Sequence, residues 1–146
     1  MYKRILIATD GSKLSKMAVR SGIQLAELAG AQIIALNVVP RYPLSYFEGG
    51  MAVSMDIGKI EKEWTENGQA IVEAVAASAV AHGIKAKAVT VKSDLVAEAI
   101  INAAKKYKCD LIVMASHGRK GIKRLLMGSE TQHVLTHSHI PVLVLR

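Results

Sequence analysis

The sequence predicts an open α/β fold, with a mainly parallel sheet covered by helices on both faces. Apolar runs of strand length alternate with stretches of helical period along the whole chain. Most of those runs are continuously apolar, which suits strands buried on both faces. Glycine, proline or a capping residue stands at nearly every junction. A βαβαβαβαβ alternation needs crossover connections, and these set parallel strands under helices.

Lys3 to Thr9, KRILIAT, is the first β-type run. Asp10-Gly11-Ser12 turns the chain and offers a helix cap. Leu14, Met17, Ala18, Ser21, Leu25 and Leu28 then recur at helical spacing, and Gly30 supplies the stop. Ala31 to Val39, AQIIALNVV, is a second buried strand, ended by Pro40. Arg41 to Asp56 has no clear period; a loop of that length is either a lid or partner surface, or a tolerated insertion. Helical period returns over Ile57 to His82 through Ile60, Trp64, Ile71 and Val75, and Gly83 ends it. Lys85 to Lys92, KAKAVTVK, alternates as an edge strand does. Ser93-Asp94 is placed to cap a third helix, with Leu95, Ala99, Ile100 and Ala103 on one face. Lys105, Lys106 and Lys108 crowd its end, where the helix dipole favours positive charge. Leu111 to Ala115, LIVMA, is too short for a helix and reads as a buried strand. Ser129, with Gln132 three residues on, forms a capping-box pattern, so a fourth helix runs from about Ser129 to Thr136. Pro141 and Val142 to Leu145 close the chain as a last strand.

The chain has 146 residues, enough for one domain over residues 1–146 with one core. Hydrophobic residues make up 51%, which excludes disorder. The single cysteine, Cys109, cannot form an internal disulfide, which points to a reducing compartment. It reads as a small buried hydrophobe rather than a reactive thiol. The apolar N-terminal stretch stops at Asp10, too short for a secretion signal, and no run is long enough to span a membrane. A cytoplasmic protein with no membrane partner is the expectation. The formal charge of +7 suits nucleic acid, an acidic membrane surface or an anionic small ligand. The basic residues are scattered, and one Phe and one Trp leave little for stacking bases, so nucleic acid is disfavoured.

The chemistry concentrates between Leu111 and Ser129. Ser116-His117-Gly118-Arg119-Lys120-Gly121 joins a strand to a helix N-terminus. Glycines let backbone approach a phosphate, N–H groups point at it, and the helix dipole favours negative charge. The bland alternative is a crossover loop that uses glycine only to turn. Open parallel sheets bind ligands beyond the carboxyl ends of their strands, where chain order reverses. With strand order 3-2-1-4-5, that reversal lies between the first and fourth strands. Their ends carry Thr9-Asp10-Gly11 and Ala115-Ser116-His117-Gly118, so local chemistry and topology meet. His117 either donates to phosphate or binds backbone. One of Arg119 and Lys120 clamps phosphate, Arg as a planar fork or Lys as a point charge. Ser129 caps its helix, contacts phosphate, or does both. Glu130 suits the dipole but repels phosphate unless it points away or faces a metal. His133 and His137 are spaced like zinc-protease ligands, but Val134 replaces the needed glutamate and no third ligand is evident, so no metal site is expected there. No Walker pattern and no GxSxG elbow occurs.

ATDGS at Ala8 to Ser12, NVV at Asn37 to Val39, and the closing MASHGRKGIKRLLMGSETQHVLTHSHIPVLVLR carry a resemblance. Over its whole length the chain resembles the universal stress protein family. The resemblance implies a five-stranded Rossmann-like fold of the adenine nucleotide alpha hydrolase type, order 3-2-1-4-5. It implies homodimers through the final strand and, in one branch, ATP binding. That branch carries glycine, two residues, glycine, nine residues, then glycine followed by serine or threonine. Gly118, Gly128 and Ser129 match it. Ala115 stands where the first glycine belongs, and its methyl group threatens to crowd a nucleotide. By the same likeness Asp10 lies near the ribose or metal, the Val38 backbone meets the adenine edge, and Ala8, Thr9 and Met114 line the base pocket.

The expected function is stress response or signalling with ATP, or else AMP or ADP, bound between the two loops; Mg2+ accompanies ATP. The expected contacts are Ala8, Thr9, Asp10, Val38, Met114, Ala115, His117, Gly118, Arg119, Gly128, Ser129 and Glu130. The alternative is a nucleotide-free dimer acting through protein partners, which Ala115 favours. At most slow ATP turnover is expected, because no base–nucleophile pair is readable. Val142 to Leu145 forms an apolar edge strand with no internal charge or proline. A two-fold partner covers such an edge, with Val142 and Val144 among the shared residues, unless the 41–56 loop hides it in a monomer.

Overall fold

All strands run in one direction, because every connection between them crosses over through a helix. The computed structural model describes residues 1–41, 57–117 and 127–146. Its strands are β1 (Arg4–Ala8), β2 (Gln32–Val39), β3 (Ala86–Lys92), β4 (Leu111–Ala115) and β5 (Val142–Leu145). Its helices are α1 (Lys13–Ala29), α2 (Ile57–Ala81), α3 (Val96–Lys106) and α4 (Ser129–His137). The sheet order is β3-β2-β1-β4-β5, each pair parallel. β1 is central: Ile7 pairs with Ala35 on one side and Val113 on the other.

Period-two alternation sorts the strand residues into two apolar layers. Ile5, Ile7, Ile33, Ala35, Leu111, Val113 and Ala115 face α1 and α2, with Ala18, Ile23, Val72 and Val75. Leu6, Ile34, Leu36, Ile112 and Met114 face α3 and α4, with Ala97, Ile100, Ala103 and Val134. The helices close the sheet from both sides, but not through all the residues whose spacing marked them. α1 buries Ser15, Ala18, Gly22, Ile23 and Ala26, and α2 buries Val72, Val75 and Ala79, whereas Met17, Leu28 and Trp64 are exposed. Among the described residues no helix is long and apolar enough to cross a membrane.

The helix ends show where local signals hold and where they fail. Ser12 caps α1, its Oγ accepting from Ser15 N, and Gly30 ends it in the left-handed region at φ 69°. The Ser93-Asp94 cap expected for α3 does not form. Ser93 Oγ accepts from Leu95 N, Asp94 Oδ1 accepts from Arg41 N, and Leu95 takes the cap position of a helix that begins at Val96. A cap comes instead from α4: Glu130 Oε2 accepts from Ala97 N at 2.7 Å. Leu95, expected on the buried face, is 59% exposed. Ser129 is the first helical residue of α4, not its cap; Gly128 takes that place. Gln132 Nε2 donates to Met127 O, so no capping box closes. The Arg41–Asp56 loop lies, beyond Arg41, outside the described residues.

Close approach of helix to sheet depends on glycine at one point of α1. A Cβ on Gly22 would lie 2.6 Å from Ile7 Cδ1 and 2.9 Å from its Cγ1. Ile7 is fully buried, so any shift of its side chain presses on the surrounding core. Gly22→Val should therefore destabilise the protein by about 1–3 kcal/mol, the usual cost of overpacking. Urea unfolding checks this; an unchanged midpoint would show that α1 can lift without loss.

Candidate functional site

The reversal of strand order sets the carboxyl ends of β1 and β4 side by side, since Ile7 pairs with Val113. The chain leaves β1 through Thr9, Asp10 and Gly11, and leaves β4 through Ser116 and His117. Both exits are tightly bonded.

At the first exit, Thr9 is buried and its hydroxyl donates to Ser15 Oγ at 3.0 Å. The same Oγ1 accepts from Gly11 N at 3.2 Å. Asp10 Oδ1 accepts from Ser12 N at 2.9 Å, an Asx-type turn. Gly11 sits at φ 80°, a left-handed conformation that other residues rarely take. Thr9 N donates to Leu36 O, and Thr9 O accepts from Asn37 Nδ2, both at 2.9 Å.

At the second exit, Ser116 N donates to Leu145 O at 2.8 Å. Ser116 O accepts from Gly128 N at 2.8 Å. The Thr131 hydroxyl reaches both Ala115 O, at 3.0 Å, and Ser116 O, at 3.2 Å. A Cβ on Gly128 would lie 3.2 Å from Ser116 O. The glycine therefore serves a backbone fit that pins the start of α4 onto the end of β4.

The expected site residues divide into groups. Ala8, Val38 and Met114 share the layer of the α3–α4 side at the carboxyl ends of β1, β2 and β4. Ala115 belongs to the opposite layer, with α1 and α2, and is buried. Its methyl group is core, not crevice. Thr9 turns its side chain to α1. Glu130 turns its carboxylate to α3, which answers the concern that it repels phosphate. Ser129 is exposed at the head of α4, where Gly128 offers no side-chain cap. Gly118, Arg119 and Lys120 lie outside the described residues.

Three participants had no site role in the sequence reading. Thr131 has a buried hydroxyl two residues into a helix, a position without a sequence signal. Asn37 did carry one: a lone amide inside the apolar run IIALNVV. Ser116 Oγ lies 2.9 Å from His117 Nδ1, a hydroxyl–imidazole pair that sequence reading missed. Ser116 is 3% exposed, so this bond orients the imidazole and does not present a nucleophile.

The other histidines stay apart from this crevice. His133 and His137 stack at 4.1 Å between ring centroids, and Thr136 Oγ1 lies 2.8 Å from His137 Nδ1. Among the described residues no three of His, Cys, Asp and Glu gather as metal ligands would.

Comparison with known proteins follows the same lines. A family model described as the universal stress protein family matches residues 1–146. Universal stress protein MJ0531 of Methanocaldococcus jannaschii is 33% identical over 146 residues, spanning 100% of this chain and 83% of that protein. MJ0577 of the same organism is 28% identical over 156 residues, spanning 100% and 96%. Its solved structure superposes with a TM-score of 0.83, covering 99% of this chain and 96% of that one. A solved universal stress protein in complex with cAMP has a TM-score of 0.72 at 24% identity, covering 99% and 97%.

Cys109 stands just before β4, at the end of the sheet away from the crevice. Burial pushes its thiol up from 9.0 to about 11, against a lowering pull from Arg4 and with a smaller push from Asp110. The thiol stays protonated at neutral pH and is a poor nucleophile. Because the folded value is raised, its stabilising effect is full below pH 9.0 and is lost as pH climbs toward about 11. Iodoacetamide at pH 8 should label the native protein on the order of 100-fold more slowly than the urea-unfolded chain. Equal rates would show an accessible thiolate.

Proposed function

Because the chain belongs to the universal stress protein family, we propose that it is a stress-response or signalling protein that binds an adenine nucleotide, ATP by preference, between the β1 and β4 exits. The observation that carries this reading is the pair of exits at the reversal of strand order, both held rigidly by bonds of their own. Preorganised backbone is what an anionic ligand needs, since little ordering is left to bind it.

Each part of the nucleotide has a fitting neighbour. Ala8 and Val38, half-buried beside the buried Met114 in one apolar layer, offer apolar contact suited to the flat face of a base. Ser129 and the uncapped first turn of α4 suit phosphate, and the dipole adds to them. The charge of +7 raises the local concentration of anions. Asp10 is the carboxylate at the β1 exit that Mg2+ accompanying ATP would meet, and the turn in which its Oδ1 accepts from Ser12 N fixes its direction. AMP or ADP would use the same base surface with fewer phosphate contacts. The solved complex with cAMP is a member of this family holding an adenine nucleotide; at 24% identity it supports the fold, and the residues here carry the rest. Ala115 does not argue against binding, because its methyl group belongs to the α1–α2 core. The burial of Ser116 keeps the Ser116–His117 pair from serving as a nucleophile and base, in line with slow turnover at most.

Assembly belongs to the same proposal. Among the described residues β5 pairs with β4 alone and so stands at the edge of the sheet. Val142 and Val144 pack into their own α3–α4 layer, so they are poor candidates for a shared surface. Leu143 is 39% exposed and takes that role in a homodimer through β5.

Two measurements test these readings. Calorimetry with ATP and Mg2+ should give saturable heat, and Asp10→Ala should weaken it at least about tenfold. Ala115→Gly should change affinity by less than about threefold, since the methyl group lies in the core. No heat at millimolar ATP would leave the nucleotide-free reading standing. Light scattering should report a dimer for the native chain and a monomer for Leu143→Lys; an unchanged dimer would place the interface elsewhere.

A further inference from the structure

The turn after β1 is fixed by a residue that does not belong to it. Asn37 lies near the end of β2 and is 6% exposed. Its Nδ2 donates to Thr9 O at 2.9 Å, across the gap between the two strands. By that bond it holds the residue whose own hydroxyl accepts from Gly11 N and donates to Ser15 Oγ. Asp10 is the next residue, with its carboxylate already taken up by Ser12 N. Thr9 thus has its N–H, its carbonyl and its hydroxyl all engaged by neighbours.

The amide is itself held in place from behind. Asn37 has the same strand parity as Ile33 and Ala35, so it faces the α1–α2 side. There it meets Gly68 of α2. A Cβ on Gly68 would collide with Asn37 Oδ1 and come within 2.9 Å of Val39 Cγ2. The helix backbone therefore forms one wall of the amide's slot. A glycine in a helix interior is otherwise unfavourable by about 1 kcal/mol relative to alanine.

We propose that Asn37 is a positioning residue for the ligand site, and that Gly68 makes room for it. The path runs from α2 through Gly68 and the Asn37 amide to Thr9 O and so to the Asp10 turn. A shift of α2 toward β2 would move the amide and slacken that turn. The consequence for affinity rests on the nucleotide reading above; the consequence for the turn does not.

The test uses the full chain with Asn37→Leu, which keeps the side-chain shape and removes the donor, with Gly68→Ala, and with both together. Amide exchange of Thr9, Gly11 and Ser12 is followed without ligand, with Ile5 and Val113 as core references. Each single variant should speed exchange at the turn about tenfold while the core references keep their rates, as one lost buried hydrogen bond predicts. The double variant should add nothing, because both changes act through one bond. ATP affinity should fall by a similar factor in all three. Unchanged turn exchange, effects that multiply in the double variant, or core amides that speed up equally would each overturn the proposal. Asn37→Asp replaces the leucine variant if that one fails to fold. If the native chain takes up no nucleotide, the functional reading falls, and the exchange rates still decide on Asn37.

Discussion

A parallel strand that ends inside a protein leaves carbonyl groups that its neighbours no longer bond, and a buried carbonyl without a partner costs about 1–3 kcal/mol. This chain meets that constraint twice, where β1 and β4 end together at the reversal. Asn37 supplies an amide to Thr9 O. Thr131 and the Gly128 backbone supply donors to Ala115 O and Ser116 O. The donors come from elements distant in sequence, so the exits form only once β2 and α4 are docked. What looks like a loop chemistry is a tertiary one.

The two-layer packing follows from the same economy of space. Parity assigns each strand residue to the α1–α2 side or the α3–α4 side, and the helices follow. The buried polar side chains among the described residues gather around the carboxyl ends of the strands: Thr9, Ser15, Asn37, Ser116 and Thr131 are buried and bonded there. Among the described residues no buried side-chain polar atom lacks a partner. An apolar body with a bonded polar end can hold a fixed polar ligand without giving up core stability.

The fold was legible because its signals are redundant. Four strands are apolar runs and β3 alternates, and helices α1, α2 and α3 each show helical spacing, although Met17, Leu28 and Trp64 within those patterns turn outward. The stops at Gly30 and Gly83 could be read directly, since both take a positive φ. What failed were the caps whose partners are remote. Ser93-Asp94 looked like a cap, but Arg41 N takes the Asp94 carboxylate and Glu130 serves α3 from another helix. Nothing near Ala97 in sequence announces that. Ser129 and Gln132 matched a capping box by spacing, but the close fit of Gly128 on Ser116 O moves the cap back by one residue. In the crevice, the loop identities were legible and the directions were not. Sequence could name Glu130 and Ala115, but the side each one faces depends on docking.

Those directions change what the departure at Ala115 means. A glycine in a nucleotide loop serves either because the ligand needs the room or because the chain does. At Gly128 the chain needs it: a Cβ would press on Ser116 O. At position 115 the strand is regular, paired with Leu145, and turned into the core. A methyl group there adds packing to the layer formed by Ile7 and Val113 and takes nothing from the opposite one, where Ala8, Val38 and Met114 lie. The two positions of one motif are therefore unequal. Replacing the one that touches a carbonyl disturbs the site through the backbone, whereas replacing the one in a strand with its side chain inward is a core substitution. Motif matching weighs both alike; strand parity separates them.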